Sequence, residues 1–139
     1  PEVAHRYDGY CKAHHEMQVQ IDERLSISAL FTEEGGRLAV DELCRREISF
    51  DALFASSDLL AMTAINTLRE KQYRVPEDVA VVGYDDIELA RYFHPPLTTV
   101  RQPIVAAGEA LVDALLALAD QQTVQPQLLS AELMCRATS

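Results

Sequence analysis

The chain has 139 residues, enough for one compact domain with a sizeable core, and 48% of them are hydrophobic, which excludes a disordered segment. Against 22 acidic residues stand only 12 basic ones, a formal charge of -10, which is poor equipment for gripping a phosphate backbone, so these residues are not expected to bind nucleic acid directly. Three widely separated cysteines, Cys11, Cys44 and Cys135, form no CxxC pair and suit a reducing compartment, and no run approaches 18 uninterrupted apolar residues.

In chain order, residues 1–7 match no periodic element, and the opening Pro1-Glu2-Val3 is what a segment of a longer polypeptide would show. Tyr10, Ala13 and Met17 recur near helical spacing and predict a helix over 8–17, weakened at its start by Gly9. Arg6 falls just before it or in its first turn, where it either grips an anionic or hydroxylated ligand or is an ordinary surface arginine. Residues 18–26 are polar and read as a loop. Ile27, Ala29 and Phe31 alternate with Ser28 and Leu30 and predict a short strand.

Thr32 is placed to cap the next helix, Glu33 and Glu34 suit its positive end, and Leu38, Leu43 and Cys44 supply its apolar face as far as Arg46. Residues 51–55 predict a strand. Ser57 then starts a helix over 58–72, either as its N-cap or as a donor to a ligand at a strand-to-helix turn. Its buried stripe is Ala61, Ile65 and Leu68, with Met62 on a flanking surface.

The stretch around which the rest is arranged is Val79-Ala80-Val81-Val82-Gly83-Tyr84-Asp85-Asp86. Four consecutive apolar residues predict a buried strand ended by Gly83. In an open α/β sheet ligands sit just beyond the carboxyl ends of the strands, so Asp85 and Asp86 stand either at a ligand site or in a simple turn. A short irregular helix is expected within 87–96, with Tyr92, Phe93 and His94 beside Met62 forming a partner surface or part of the core. Residues 97–101 look extended, Pro103 opens a helix running to about Ala119, and 128–136 alternate as a final strand. Strands alternating with helices imply a mainly parallel sheet with right-handed crossovers.

Catalytic patterns are absent from this reading. No GxGxxG or phosphate-cradling Gly-rich loop follows a strand, and Ser56-Ser57-Asp58 is not a nucleophile elbow. His14 and His15 are adjacent and face different sides of a helix, which makes a poor metal pair. No metal or cofactor is expected. A binding module is the better class, and an enzyme would need a turnover that disappears with Asp85→Asn.

Three blocks are specific enough to carry a resemblance: residues 50–61 (FDALFASSDLLA), residues 74–86 (RVPEDVAVVGYDD) and residues 95–103 (PPLTTVRQP), in this order and spacing. They resemble the effector-binding domain of the LacI/GalR family of bacterial transcription regulators, and RYDGY at 6–10, FTEEGG at 31–36 and the final LLSAELMCR extend the likeness over essentially the whole chain. The resemblance implies a three-layer αβα fold of the type I periplasmic-binding-protein kind. Residues 1–97 and 127–139 would form the C-terminal subdomain, and residues 98–126 the crossover and a helix belonging to the N-terminal subdomain. Without that neighbour the helix 103–119 would fold back, pair with another copy or be partly disordered.

The resemblance also implies roles. Arg6 matches an arginine that contacts effector hydroxyls or carboxylate, Asp85 an aspartate that accepts from sugar hydroxyls, and Phe31 an aromatic on which a sugar ring stacks. Ser57 stands where many sugar-responsive members carry Asn or Asp. Met62, Tyr92 and Phe93 correspond to a homodimer surface. The expected function is therefore sensing of a small sugar or related metabolite by a cytoplasmic regulator, with operator DNA bound only through a helix-turn-helix absent from this chain. A periplasmic-type sugar-binding protein is the alternative.

Overall fold

The computed structural model describes residues 2–139. Five α-helices and four strands alternate: α1 (Glu2–Glu16), α2 (Glu33–Arg45), β1 (Ala52–Phe54), α3 (Asp58–Glu70), β2 (Ala80–Asp85), α4 (Glu88–Tyr92), β3 (Thr98–Arg101), α5 (Ile104–Ala119) and β4 (Glu132–Met134). The strands form one sheet in the order β1-β2-β3-β4, parallel as far as β3 and antiparallel for β4.

Both expected N-caps form. The Thr32 hydroxyl accepts from the Gly35 N–H and the Ser57 hydroxyl from the Leu60 N–H, so each helix start loses one unpaired donor. Helix α2 packs on α3, tied also by Lys71 Nζ on Asp41 at 2.7 Å, and α3 packs on β2. The core lies between them and contains Val40, Ala61, Ile65, Leu68, Val79 and Val81.

Gly83 does not end its strand but sits in the middle of β2. A Cβ there would stand 2.4 Å from Asp58 Oδ1 and 3.2 Å from the Ala61 Cβ, so the missing side chain is what lets α3 approach. Its neighbour Tyr84 points to the opposite face of the sheet, as strand alternation requires, and the Arg6 guanidinium of α1 lies over the ring, 3.9 Å from its centroid. Helix α3 on one face and α1 on the other make the three-layer α/β arrangement expected.

Three further expectations are corrected. Helix α1 begins at Glu2 rather than near Asp8; it buries no residue, so no core-facing stripe marks its first turns. Residues 27–31 form no strand, because no neighbouring strand supplies the hydrogen bonds that the alternation needs. The preceding loop holds a single 3-10 turn at Glu23–Leu25. Met62 is buried in the core and not on a partner surface; it lies one position past Ala61 on a helix covered on two sides.

Helix α5 has no buried residue: Ile104, Val105, Leu111, Val112, Leu115, Leu116 and Leu118 are each more than half exposed. At the other extreme Thr138 is fully buried. Its hydroxyl donates to the Val81 carbonyl and accepts from the Thr98 N–H, and its own carbonyl takes the Val81 N–H. The Val75–Pro76 and His94–Pro95 bonds are cis.

Candidate functional site

The site forms where β1 and β2 end. Past β2 the backbone takes two consecutive positive φ values, 119° at Asp85 and 52° at Asp86. Aspartate tolerates the second; the first is an unusual conformation for any residue with a Cβ and costs on the order of 1–3 kcal/mol. The double turn sends the two carboxylates in different directions, and they do different work.

Asp85 faces Gln102 and Arg6. Gln102, at the end of the β3 crossover, donates Nε2–H to Asp85 Oδ1 at 2.8 Å, and Arg6 Nη2 approaches the same oxygen at 3.5 Å. Arg6 Nη1 donates to the Ser56 carbonyl, one residue before the α3 cap. The guanidinium is thus held by a carbonyl, a carboxylate and the Tyr84 ring, which combines hydrogen bonding with cation–π attraction. Both partners of Asp85 fall on Oδ1, so Oδ2 is available, and the side chain keeps 26% of its accessible surface.

Asp86 turns inward. Its side chain is 1% exposed and receives Arg136 Nη2 on Oδ1 and Arg101 Nε on Oδ2 at 2.6 Å, with Arg91 at 3.8 Å. Burial alone would raise its pKa, but the hydrogen bonds from Arg136 and Arg101 outweigh it and hold the carboxyl below its ordinary range. Arg136 also donates to the Leu97 carbonyl, so this pair fastens the segment after β4 to the start of β3.

Asp58, at the first turn of α3, completes the frame. Its Oδ2 accepts from the Ile87 N–H at 2.9 Å and its Oδ1 from the Thr99 hydroxyl. Burial raises its pKa, an effect opposed by the Thr99 and Ile87 hydrogen bonds. The turn 85–87 is therefore pinned from below by Asp58 and from the side by Asp86, which leaves Asp85 held at a fixed point.

Of the residues singled out in the sequence, Arg6 and Asp85 are brought together. Ser57 is buried, with its hydroxyl taken by the helix cap; it is the Ser56 carbonyl that reaches the arginine. Phe31 is 63% exposed, just before the α2 cap and outside the hydrogen-bonded group. Tyr92 is 75% exposed, whereas Phe93 packs against the core. The reading by spacing missed Gln102, Tyr84 and the Arg101–Arg136 pair. Their only signal was position, since Tyr84 and Gln102 both directly follow the two central strand patterns. Among the described residues no cluster of three or more His, Cys, Asp or Glu is placed to hold a metal ion.

Chemically the arrangement offers a carboxylate acceptor beside guanidinium and amide donors over an aromatic face. That combination recognises hydroxyl groups, which both donate and accept. It contains no paired nucleophile and base.

A family model described as "Periplasmic binding protein-like domain" matches residues 2–139. The PurR transcriptional repressor of Vibrio atlanticus is 40% identical over 111 residues, covering 80% of this chain and 33% of that protein. The CelR transcriptional regulator of Thermobifida fusca is 39% identical over 133 residues, covering 94% and 39%. The ribose operon repressor of Escherichia coli is 36% identical over 124 residues. Among solved structures, a CelR–cellobiose complex superposes with a TM-score of 0.90 at 38% identity, covering 96% of this chain and 42% of that one. A Lac repressor dimer bound to operator and the anti-inducer ONPF superposes at 0.86 with 31% identity, covering 96% and 46%. The chain spans about two-fifths or less of the length of these curated relatives.

Proposed function

Because the chain belongs to the periplasmic binding protein-like domain family, in the form found in LacI/GalR-type transcription regulators, we propose that it senses a small polyhydroxylated effector, of the sugar class, through Asp85 and Arg6. The observation that carries this reading is the geometry at Asp85. One oxygen is satisfied by Gln102 and Arg6, and the other is open beside the guanidinium, so a diol can bridge the two residues without first breaking the frame. The likeness to a regulator solved with cellobiose supports the same ligand class.

The module is a binding domain and not an enzyme. Asp86 is a structural acceptor in this reading and Ser57 a cap. In the whole protein, effector binding acts by favouring one arrangement of two subdomains over another, and a homodimer passes that preference to an operator-binding region outside residues 1–139. Of the expected dimer face, Met62, Tyr92 and Phe93, only Tyr92 is exposed, and it lies beside the exposed Leu89 and Ile87.

Isothermal titration calorimetry on the full-length gene product, with a panel of mono- and disaccharides and an amino acid as control, tests the proposal. A saccharide should bind, and Asp85→Asn should weaken it by more than about tenfold, since a charge-assisted acceptor is lost. Saccharide binding that Asp85→Asn leaves unchanged, or no saccharide binding at all, overturns it.

A further inference from the structure

Among the described residues, six other than glycine take a positive φ. Four of them, Gln18, Glu47, Gln72 and Gln121, each stand two residues past the end of a helix, with φ between 53° and 69°. They are ordinary left-handed helix terminators. Asp85 is different: it closes a strand, and its φ of 119° lies outside the left-handed helical region. Nothing local accounts for that angle. Its carboxylate bonds to Gln102 and Arg6, 17 and 79 positions away in sequence, and not to its own turn as the Asp22 carboxylate does through the Arg24 N–H.

The cause lies on either side of it. Gly83 and Tyr84 are held in β2 opposite Thr99 and Val100 of β3. Beyond Asp85, the Asp86 N–H donates to the Thr99 hydroxyl at 3.4 Å, and the buried Asp86 carboxylate holds Arg136 and Arg101. The Ile87 N–H is fixed on Asp58 at 2.9 Å. One residue joins the two fixed parts, so its backbone takes the angle that the joint requires. A strained angle persists only where the surroundings over-determine it. Returning φ to the ordinary negative range would turn the two sides of the Asp85 N–Cα bond against each other by about 80° or more. Either Asp86 would leave its guanidiniums, or the Asp85 carboxylate would leave Gln102 and Arg6.

We propose that Asp86, clamped by Arg101 and Arg136, is a positioning residue of the effector site: it imposes the strained backbone at Asp85 and so aims the neighbouring carboxylate at Gln102 and Arg6. Asp58, through Ile87, shares the task. Stability is given up at Asp85 to fix the direction of its open oxygen before an effector arrives, which lowers the ordering cost of binding. Only this last consequence rests on the effector reading of Asp85.

The test is made on the full-length gene product and needs no effector. Asp85→Gly and Asp85→Ala are compared by urea unfolding. At an unstrained position alanine is the more stable of the two, because glycine loosens the unfolded chain; at a φ of 119° the order reverses. The glycine variant should therefore unfold at a midpoint about 0.5 M higher. In an Asp86→Asn background the gap should close or change sign. Where Asp86→Asn does not fold, Arg101→Lys, which loosens the clamp but leaves Arg136 on Asp86, should narrow the gap instead. The second readout is the Gln102 side-chain amide, followed by NMR with isotopically labelled glutamine and assigned by its absence in Gln102→Leu. Its hydrogen-bonded shift should be lost in the clamp variant as it is in Asp85→Ala, and kept in Ser57→Ala, which removes a helix cap nearby without touching the clamp. An alanine variant at least as stable as the glycine one in the parent, a gap unchanged by loosening the clamp, or a Gln102 amide unmoved in the clamp variant overturns the proposal. Since neither readout contains an effector, a failure of saccharide binding refutes the effector reading alone.

Discussion

Gly83→Ala is the most informative single perturbation, because one methyl group meets three neighbours at once. The new Cβ would lie 2.4 Å from Asp58 Oδ1, 3.1 Å from Leu97 Cδ2 and 3.2 Å from the Ala61 Cβ. The carboxylate has to retreat by about 1 Å to reach ordinary contact, which pulls it from the Thr99 hydroxyl, and a hydrogen bond to a charged group is worth about 1.5–3 kcal/mol. Overpacking against Leu97 and Ala61 adds about 1–3 kcal/mol, while the stiffer unfolded chain returns about 0.4–1 kcal/mol. The balance is a loss of about 3 kcal/mol. With a urea slope of about 2 kcal/mol/M, the unfolding midpoint falls by about 1.5 M at unchanged slope. A Thr99→Val background supplies the control: the hydrogen bond is already gone, so Gly83→Ala costs about half as much there. A midpoint within about 0.3 M of the parent, or full additivity with Thr99→Val, refutes the reasoning.

Four further outcomes follow from the geometry. Asp86→Asn leaves two guanidiniums facing a neutral amide and should cost about 3 kcal/mol in the same denaturation assay. Because the folded-state pKa of Asp86 lies below its unfolded value, the stability it contributes is complete above the ordinary carboxylate range and is lost as pH falls through the folded value; the variant should lack that part of the acid limb. Ser57→Ala should lower stability by about 1 kcal/mol through the lost cap, with effector affinity by calorimetry unchanged. Glu42 pairs with Arg45 and Arg46 at the surface, and Glu42→Gln should leave the thermal midpoint nearly unmoved, since these pairs are in water.

The elements that could be read from the residues are those whose signal is local. The Thr32 and Ser57 caps, the stripe of Ala61, Ile65 and Leu68, and the run Val79–Val82 need only their own neighbours in sequence to be recognised. What escaped depends on partners. Residues 27–31 carry the alternation of a strand, but a strand exists only when something pairs with it. Met62 has the periodicity of a flanking position, and only the packing of α2 on α3 decides that it is inside. Gly83 read as a strand end because glycine is rare in strands, whereas its role is to admit Asp58. At the site, Asp85 was legible from its place after a buried strand, and Arg6 came through the family resemblance. Gln102 and Tyr84 were not, since a glutamine after a crossover and a tyrosine on the far face of a strand acquire meaning only when Arg6 and Asp85 are seen between them.

The burial of Thr138 between Val81 and Thr98 bears on how the domain is made. A single residue clasps two strands, bonding to Val81 of β2, made 57 positions earlier, and to Thr98 of β3, made 40 positions earlier. A nascent chain that has already released α3 and β2 from the ribosome still lacks this clasp, and so does every incomplete product of translation. The sheet closes only after residue 138 has emerged, so folding of this domain during synthesis waits on a residue far beyond the strands it fastens.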